Sequence, residues 1–182
     1  GNQWANSFAA NDNVATSDTA RGQRTDRCVY AVEVNGTGVV QQASYVSMNT
    51  DGFTLNWTEA STYQLASFCL KGPRFKVGSF NKTTGVAPAS QSVTGVGFTP
   101  KGLLLSSYRD AANSTPFTHA IWSLGAASGV GSEKSIAISD QDNVGTTVVQ
   151  GYQNDYISSI IGIGASNLEA AADLSSFDTD GF

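Results

Sequence analysis

Three features of this sequence predict an all-β fold, an antiparallel β-sandwich of jelly-roll kind built from a repeat of about 130 residues. Runs rich in Val, Ile, Leu, Phe and Tyr alternate with clusters of Gly, Asn, Asp and Ser, the pattern of short antiparallel strands. Turn chemistry sits between those runs, as in Thr50-Asp51-Gly52 and Thr179-Asp180-Gly181, where Gly is expected to supply the positive φ of a hairpin. The third feature is internal similarity. Ser7 to Val14 lines up with Ala137 to Val144 at an offset of 130, sharing Asp-Asn-Val, and Ser47 to Phe53 lines up with Ser176 to Phe182 at an offset of 129.

Strands are expected near 4–10, 27–34, 39–48, 53–58, 63–70, 74–80, 90–96, 102–108, 117–124, 134–139, 156–163 and 168–176. The second falls on a counterpart in the later part of the chain, Cys28 to Val34 on Ser158 to Gly164, and Ala43 falls on Ala172. In the fourth, Phe53, Leu55 and Trp57 share one face by period two, so Trp57 is expected to be buried. Pro73 and Pro100 stand where a strand begins and a missing N–H is tolerated. Gly95, Gly97 and Gly102 permit bends near a sheet corner. The last strand has a helical competitor, Asn167 to Asp173. Its counterpart Thr37 to Ser44 contains Val39-Val40, and β-branched residues favour the strand.

On this reading, 1–82 is the C-terminal part of a first repeat and 83–182 most of a second, packed together as β-sandwich units. The chain then starts inside one repeat and stops inside the next.

Composition narrows the function. Charged residues are 14% of the chain and the formal charge is −5, so no basic stripe exists to neutralise phosphates, and nucleic acid and anionic membranes are disfavoured as partners. No apolar run approaches the ~18 residues of a membrane span, and Gly1-Asn2-Gln3-Trp4 lacks the pattern of a signal peptide. Cys28 and Cys69 both lie in apolar runs, which favours buried thiols over a disulfide.

Candidate sites are few. Asn11-Asp12-Asn13, Asp140-Gln141-Asp142-Asn143 and Asp178-Thr179-Asp180 offer oxygen ligands, with Asp12 and Asp142 the best candidates for calcium. None has the twelve-residue spacing of a calcium loop, and Asp and Asn also cap turns by bonding the backbone, so no cofactor is expected. Tyr152, in the polar stretch Gln150 to Tyr156, is a candidate for stacking on a sugar ring. His119 is the single histidine and reads as a polar-face strand residue. With no nucleophile elbow and no phosphate-cradling loop, the chain is expected not to be an enzyme.

Lys76-Val77-Gly78-Ser79-Phe80, with Gln91-Ser92-Val93-Thr94-Gly95-Val96-Gly97-Phe98-Thr99-Pro100-Lys101, resembles a repeat common in bacteriophage virion proteins. Asp12-Asn13-Val14-Ala15-Thr16 and Asp51-Gly52-Phe53-Thr54-Leu55-Asn56-Trp57 carry the same resemblance. It implies a structural role at the virion surface or outside the cell, as a capsid decoration, tail or fibre component whose partners are copies of itself and other virion proteins. A carbohydrate-binding or adhesin module that recognises a cell-surface glycan would share this composition.

Overall fold

The computed structural model describes residues 2–11, 14–35, 38–72, 74–110, 115–145, 149–164 and 167–182; of residues 149–152 only the backbone is described. These residues form twelve strands in antiparallel sheets and no helix. In order they are β1 (Ala5–Ala10), β2 (Thr19–Arg24), β3 (Val29–Val32), β4 (Val39–Asn49), β5 (Gly52–Glu59), β6 (Leu103–Ser107), β7 (Phe117–Thr118), β8 (Ala120–Gly129), β9 (Ser132–Asp140), β10 (Val149–Asn154), β11 (Ser158–Ile161) and β12 (Leu168–Ala172). The sheets run β1-β2-β7, β3-β4-β5, β10-β9-β8-β6 and β11-β12.

The strand preference at Leu168–Ala172 holds over the helical competitor. Two strands absent from the sequence expectation, β2 and β10, lie 130 residues apart. Their sequences, Thr-Ala-Arg-Gly-Gln-Arg and Val-Gln-Gly-Tyr-Gln-Asn, lack an apolar run, and only their neighbours hold them in a sheet. Conversely, 63–70, 74–80 and 90–96 form no strand. They have the alternation of strands, but a strand exists only where a neighbour completes its hydrogen bonds, and no ladder forms there.

Small cores sit between layers. Ala5, Ala20, Tyr30 and Val32 pack β1 and β2 over β3. Ala127, Ile157 and Leu174 form a second core that Leu103, Leu105, Phe177 and Phe182 extend. Both depend on glycine for close approach. A Cβ at Gly22 would lie 2.5 Å from the Tyr30 ring, and one at Gly125 would lie 1.7 Å from the carbonyl oxygen of Ile157.

Hydrogen bonds recur along the chain at constant offsets. β1 and β2 pair from Ala5↔Arg24 to Ala10↔Thr19, and β9 and β10 pair from Ser135↔Asn154 to Asp140↔Val149, each position shifted by 130. β3 and β4 pair as Val29↔Ala43 with a bulge between Ala31 and Val32; β11 and β12 pair as Ser158↔Ala172 with a bulge between Ile160 and Ile161, shifted by 129. Irregular bonds follow the same rule. Cys28 N–H donates to Ala43 O as Ile157 N–H does to Ala172 O, both at 3.0 Å, and Glu33 N–H to Gly38 O recurs as Gly162 N–H to Asn167 O. The Gln3 Oε1 accepts from Tyr45 N–H and the Glu133 Oε2 from Leu174 N–H, each at 2.7 Å.

Candidate functional site

The residues singled out by sequence divide among three places. The first is a junction where Ser17 to Arg21, the β7–β8 break and the segment after β9 meet. Thr19 N–H donates to Asp142 Oδ1 at 2.8 Å, and Asp142 N–H donates to His119 Nδ1 at 2.9 Å. Ser17 closes the contact, its N–H donating to Val144 O at 2.9 Å and its hydroxyl to Gln141 O at 2.6 Å. Asp142 therefore satisfies a backbone amide of a distant segment, which differs from the local turn cap weighed against calcium. Asp12 and Asn13 lie outside the described residues, and among those described no group of three or more His, Cys, Asp or Glu is placed to hold a metal ion.

His119 does not sit on a strand face. It occupies the break between β7 and β8 with φ of 65°, and its Nδ1 is used as an acceptor. Burial lowers its pKa, the positive charge of Arg21 adds to that, and Asp142 opposes it. Arg21, which the sequence reading passed over, is 6% exposed and organises the same junction. Its guanidinium pairs with Asp110 and donates to the carbonyl oxygens of Thr118 and His119, the last at 3.0 Å, and it lies 5.5 Å from the Phe117 ring centroid. A buried arginine bonded in this way ties three segments together. The missed signal was an arginine within a polar strand that no apolar periodicity marks.

The second place is aromatic. Trp57 is 41% exposed rather than buried, because β5 is the outer strand of its sheet and no layer covers this face. With Tyr63, which is 67% exposed, it lines a shallow depression that also includes Gln41, Ser61 and Leu65. The Ser61 hydroxyl donates to Gln41 Oε1 at 2.8 Å. Tyr152 lies within β10, opposite Ala137, and not in a loop; its side chain lies outside the described residues. Cys28 is half-buried, Cys69 is exposed, and both are free. The buried expectation fails for Cys69, because no described residues cover its segment.

The third place is the hairpin tetrapeptide that occurs twice. In β4–β5, Asn49 pairs with Gly52 around Thr50-Asp51, and a bridge joins Asp178 to Gly181 around Thr179-Asp180. Neither glycine serves the expected positive-φ turn position, since Gly52 lies outside the left-handed region and Gly181, at φ of 159°, is essentially extended. The second tetrapeptide is docked. Val93 N–H donates to Phe182 O at 2.7 Å, Phe182 N–H to Val93 O at 3.1 Å and Val96 N–H to Asp180 O at 3.0 Å. The Asp180 carboxylate accepts from Gly95 N–H at 2.9 Å and Gly97 N–H at 2.6 Å, and these donors hold its pKa below the usual carboxylate value. Gly95 and Gly97 have φ of 83° and 84°, the bends expected of them, and these aim both amides at one carboxylate.

Between β5 and β6 the described residues of 60–99 run without strand structure, and their apolar side chains face solvent. Tyr63, Leu65, Phe68, Leu70, Phe75, Val77, Phe80 and Val86 are 44% to 93% exposed. Comparison with family models, with curated proteins and with solved structures gave no match for this chain.

Proposed function

We propose that the chain is a non-enzymatic structural component of a viral particle, a capsid decoration, tail or fibre protein, which assembles through β-sandwich repeats of jelly-roll kind about 130 residues long. The repeat is supported by the hydrogen bonds that recur at offsets of 129 and 130. The single observation that carries the assembly reading is the 60–99 segment, whose described residues have strand-like alternation, form no strand and carry large exposed apolar side chains. Contiguous exposed apolar surface marks interaction sites, and unpaired edges are completed by strands from other copies. Sparse charge permits close contacts between copies. Sedimentation velocity over a concentration series tests this, with oligomers expected to grow with concentration; a chain that stays monomeric throughout would overturn the reading.

A second reading, a carbohydrate-binding or adhesin module, is favoured by the Trp57 and Tyr63 depression. Two exposed rings beside a hydrogen-bonding amide and hydroxyl are the elements of a sugar-stacking site. A glycan array with Trp57→Ala and Tyr152→Ala separates the readings, because a purely structural protein has no glycan binding to lose.

A further inference from the structure

Thr50-Asp51-Gly52-Phe53 and Thr179-Asp180-Gly181-Phe182 are identical in sequence and form the same two-residue hairpin loop, but their surroundings differ. Gly181 is buried against Val93, whose carbonyl oxygen would lie 1.8 Å from a Cβ placed there. Gly52 is exposed and a Cβ there would meet nothing within 4 Å. Phe182 packs on the second core and lies edge-to-face with Phe80 at 5.8 Å, whereas Phe53 is 39% exposed. The Asp180 carboxylate holds two glycine amides, and that of Asp51 has no hydrogen-bond partner among the described residues.

Glycine at 181 is explained by contact: any side chain would strike the docked backbone. The same glycine at 52 has no such cause among the described residues. Aspartate likewise has two backbone donors to bind at 180 and none at 51. The tetrapeptide thus carries every group needed for docking at both places and, among the described residues, has its partner at one.

We propose that the Thr50–Phe53 turn is a docking site for the Val93–Phe98 segment of a second copy of this chain. The incoming Val93 would form the two-bond rung with Phe53 that it forms with Phe182, and its Gly95 and Gly97 amides would converge on Asp51. The open outer edge of β5 continues from Phe53 and extends the acceptor. This inference rests on the assembly reading and names the contact through which assembly occurs. Within one chain the donor segment is engaged by Thr179–Phe182, so docking on a second copy is an exchange of acceptors, and weakening the internal acceptor drives it.

The probe is a labelled synthetic peptide of residues 90–101, titrated by fluorescence anisotropy into the full chain. One saturable site is expected, weakened about tenfold or more by Asp51→Ala, as for loss of bonds to a charged acceptor. A peptide with Gly95→Ala and Gly97→Ala is expected to bind correspondingly less, because alanine resists the positive φ. In the chain itself, Asp180→Ala frees the donor and is expected to raise self-association in sedimentation equilibrium, while adding Asp51→Ala reverses the gain. Both substitutions lie on exposed turns, and opposite shifts from two such changes do not arise from misfolding. Peptide binding indifferent to Asp51→Ala, or an Asp180→Ala chain no more associated than wild type, overturns the proposal. If the chain self-associates independently of Asp51, the assembly reading survives and this contact falls; if it never associates, both fall.

Discussion

β1 and β9 form the same ladder with the strand that follows each, and among the described residues β9 also pairs with β8 on its other side. The pairing of each strand with the one that follows it therefore recurs in both regions. The same holds for β3–β4 and β11–β12, whose bulges fall at matching positions although β4 has β5 as an outer neighbour and β12 has none among the described residues. Local bonds recur faithfully in both regions, whereas the close approaches in their cores meet different atoms, the Tyr30 ring beside Gly22 and the Ile157 carbonyl beside Gly125.

The largest expected effect falls on the second of these contacts. Gly125→Ala places a methyl on the Ile157 carbonyl, a backbone atom that cannot rotate away, so β8 and β11 must separate. A loss of roughly 3 kcal/mol or more is expected in chemical denaturation. Gly22→Ala meets a Tyr30 ring edge, which can move, and is expected to cost less; equal losses would show that the two cores are equally rigid.

The paired acceptors Gln3 and Glu133 sharpen the comparison. Glu133→Ala leaves the buried Leu174 amide without its acceptor, and a loss of about 1–3 kcal/mol is expected. Gln3→Ala exposes a part-buried amide that water can reach, so thermal denaturation should show the smaller loss. The reverse order would mean that the opening region is the better sealed of the two.

The smallest effect is the dependence on pH at the junction. The folded-state pKa of His119 is lowered from 6.5, so its contribution is fully present above that value. It declines as pH falls toward the lowered value, because the unfolded chain takes up the proton first. His119→Gln is expected to flatten the stability profile below pH 6.5, measured by urea denaturation at several pH values; an unchanged slope would assign the acid sensitivity to other groups.

Much of the strand order was legible in the sequence, because β1, β3, β4, β5, β6, β8, β9, β11 and β12 carry apolar periodicity that only burial or pairing explains. β2 and β10 were invisible to that criterion, since their positions are set by backbone bonds and by contacts such as Arg21 with Asp110. The expected strands 63–70, 74–80 and 90–96 show the opposite failure: alternation was present, but no ladder forms, and in 90–96 the bonds of Val93 and Val96 to Phe182 and Asp180 do not extend into one. At the candidate sites, the bond of Asp142 to the distant Thr19 amide was not legible, because a local turn cap needs no fold and this bond does; nor was the exposure of Trp57, because period two tells which residues share a face and not which face is covered. The two tetrapeptides could be seen to match, whereas the carboxylate's grip on two glycine amides depends on the fold.

Cys69 sits midway along the uncovered segment, whereas burial raises the pKa of the half-buried Cys28 thiol and so keeps its thiolate scarce at neutral pH. A maleimide dye should therefore attach first at Cys69. The native chain thus carries its own attachment point for an optical reporter on the stretch where copies are proposed to meet, and a change in that dye's emission would time their encounter without any engineered cysteine.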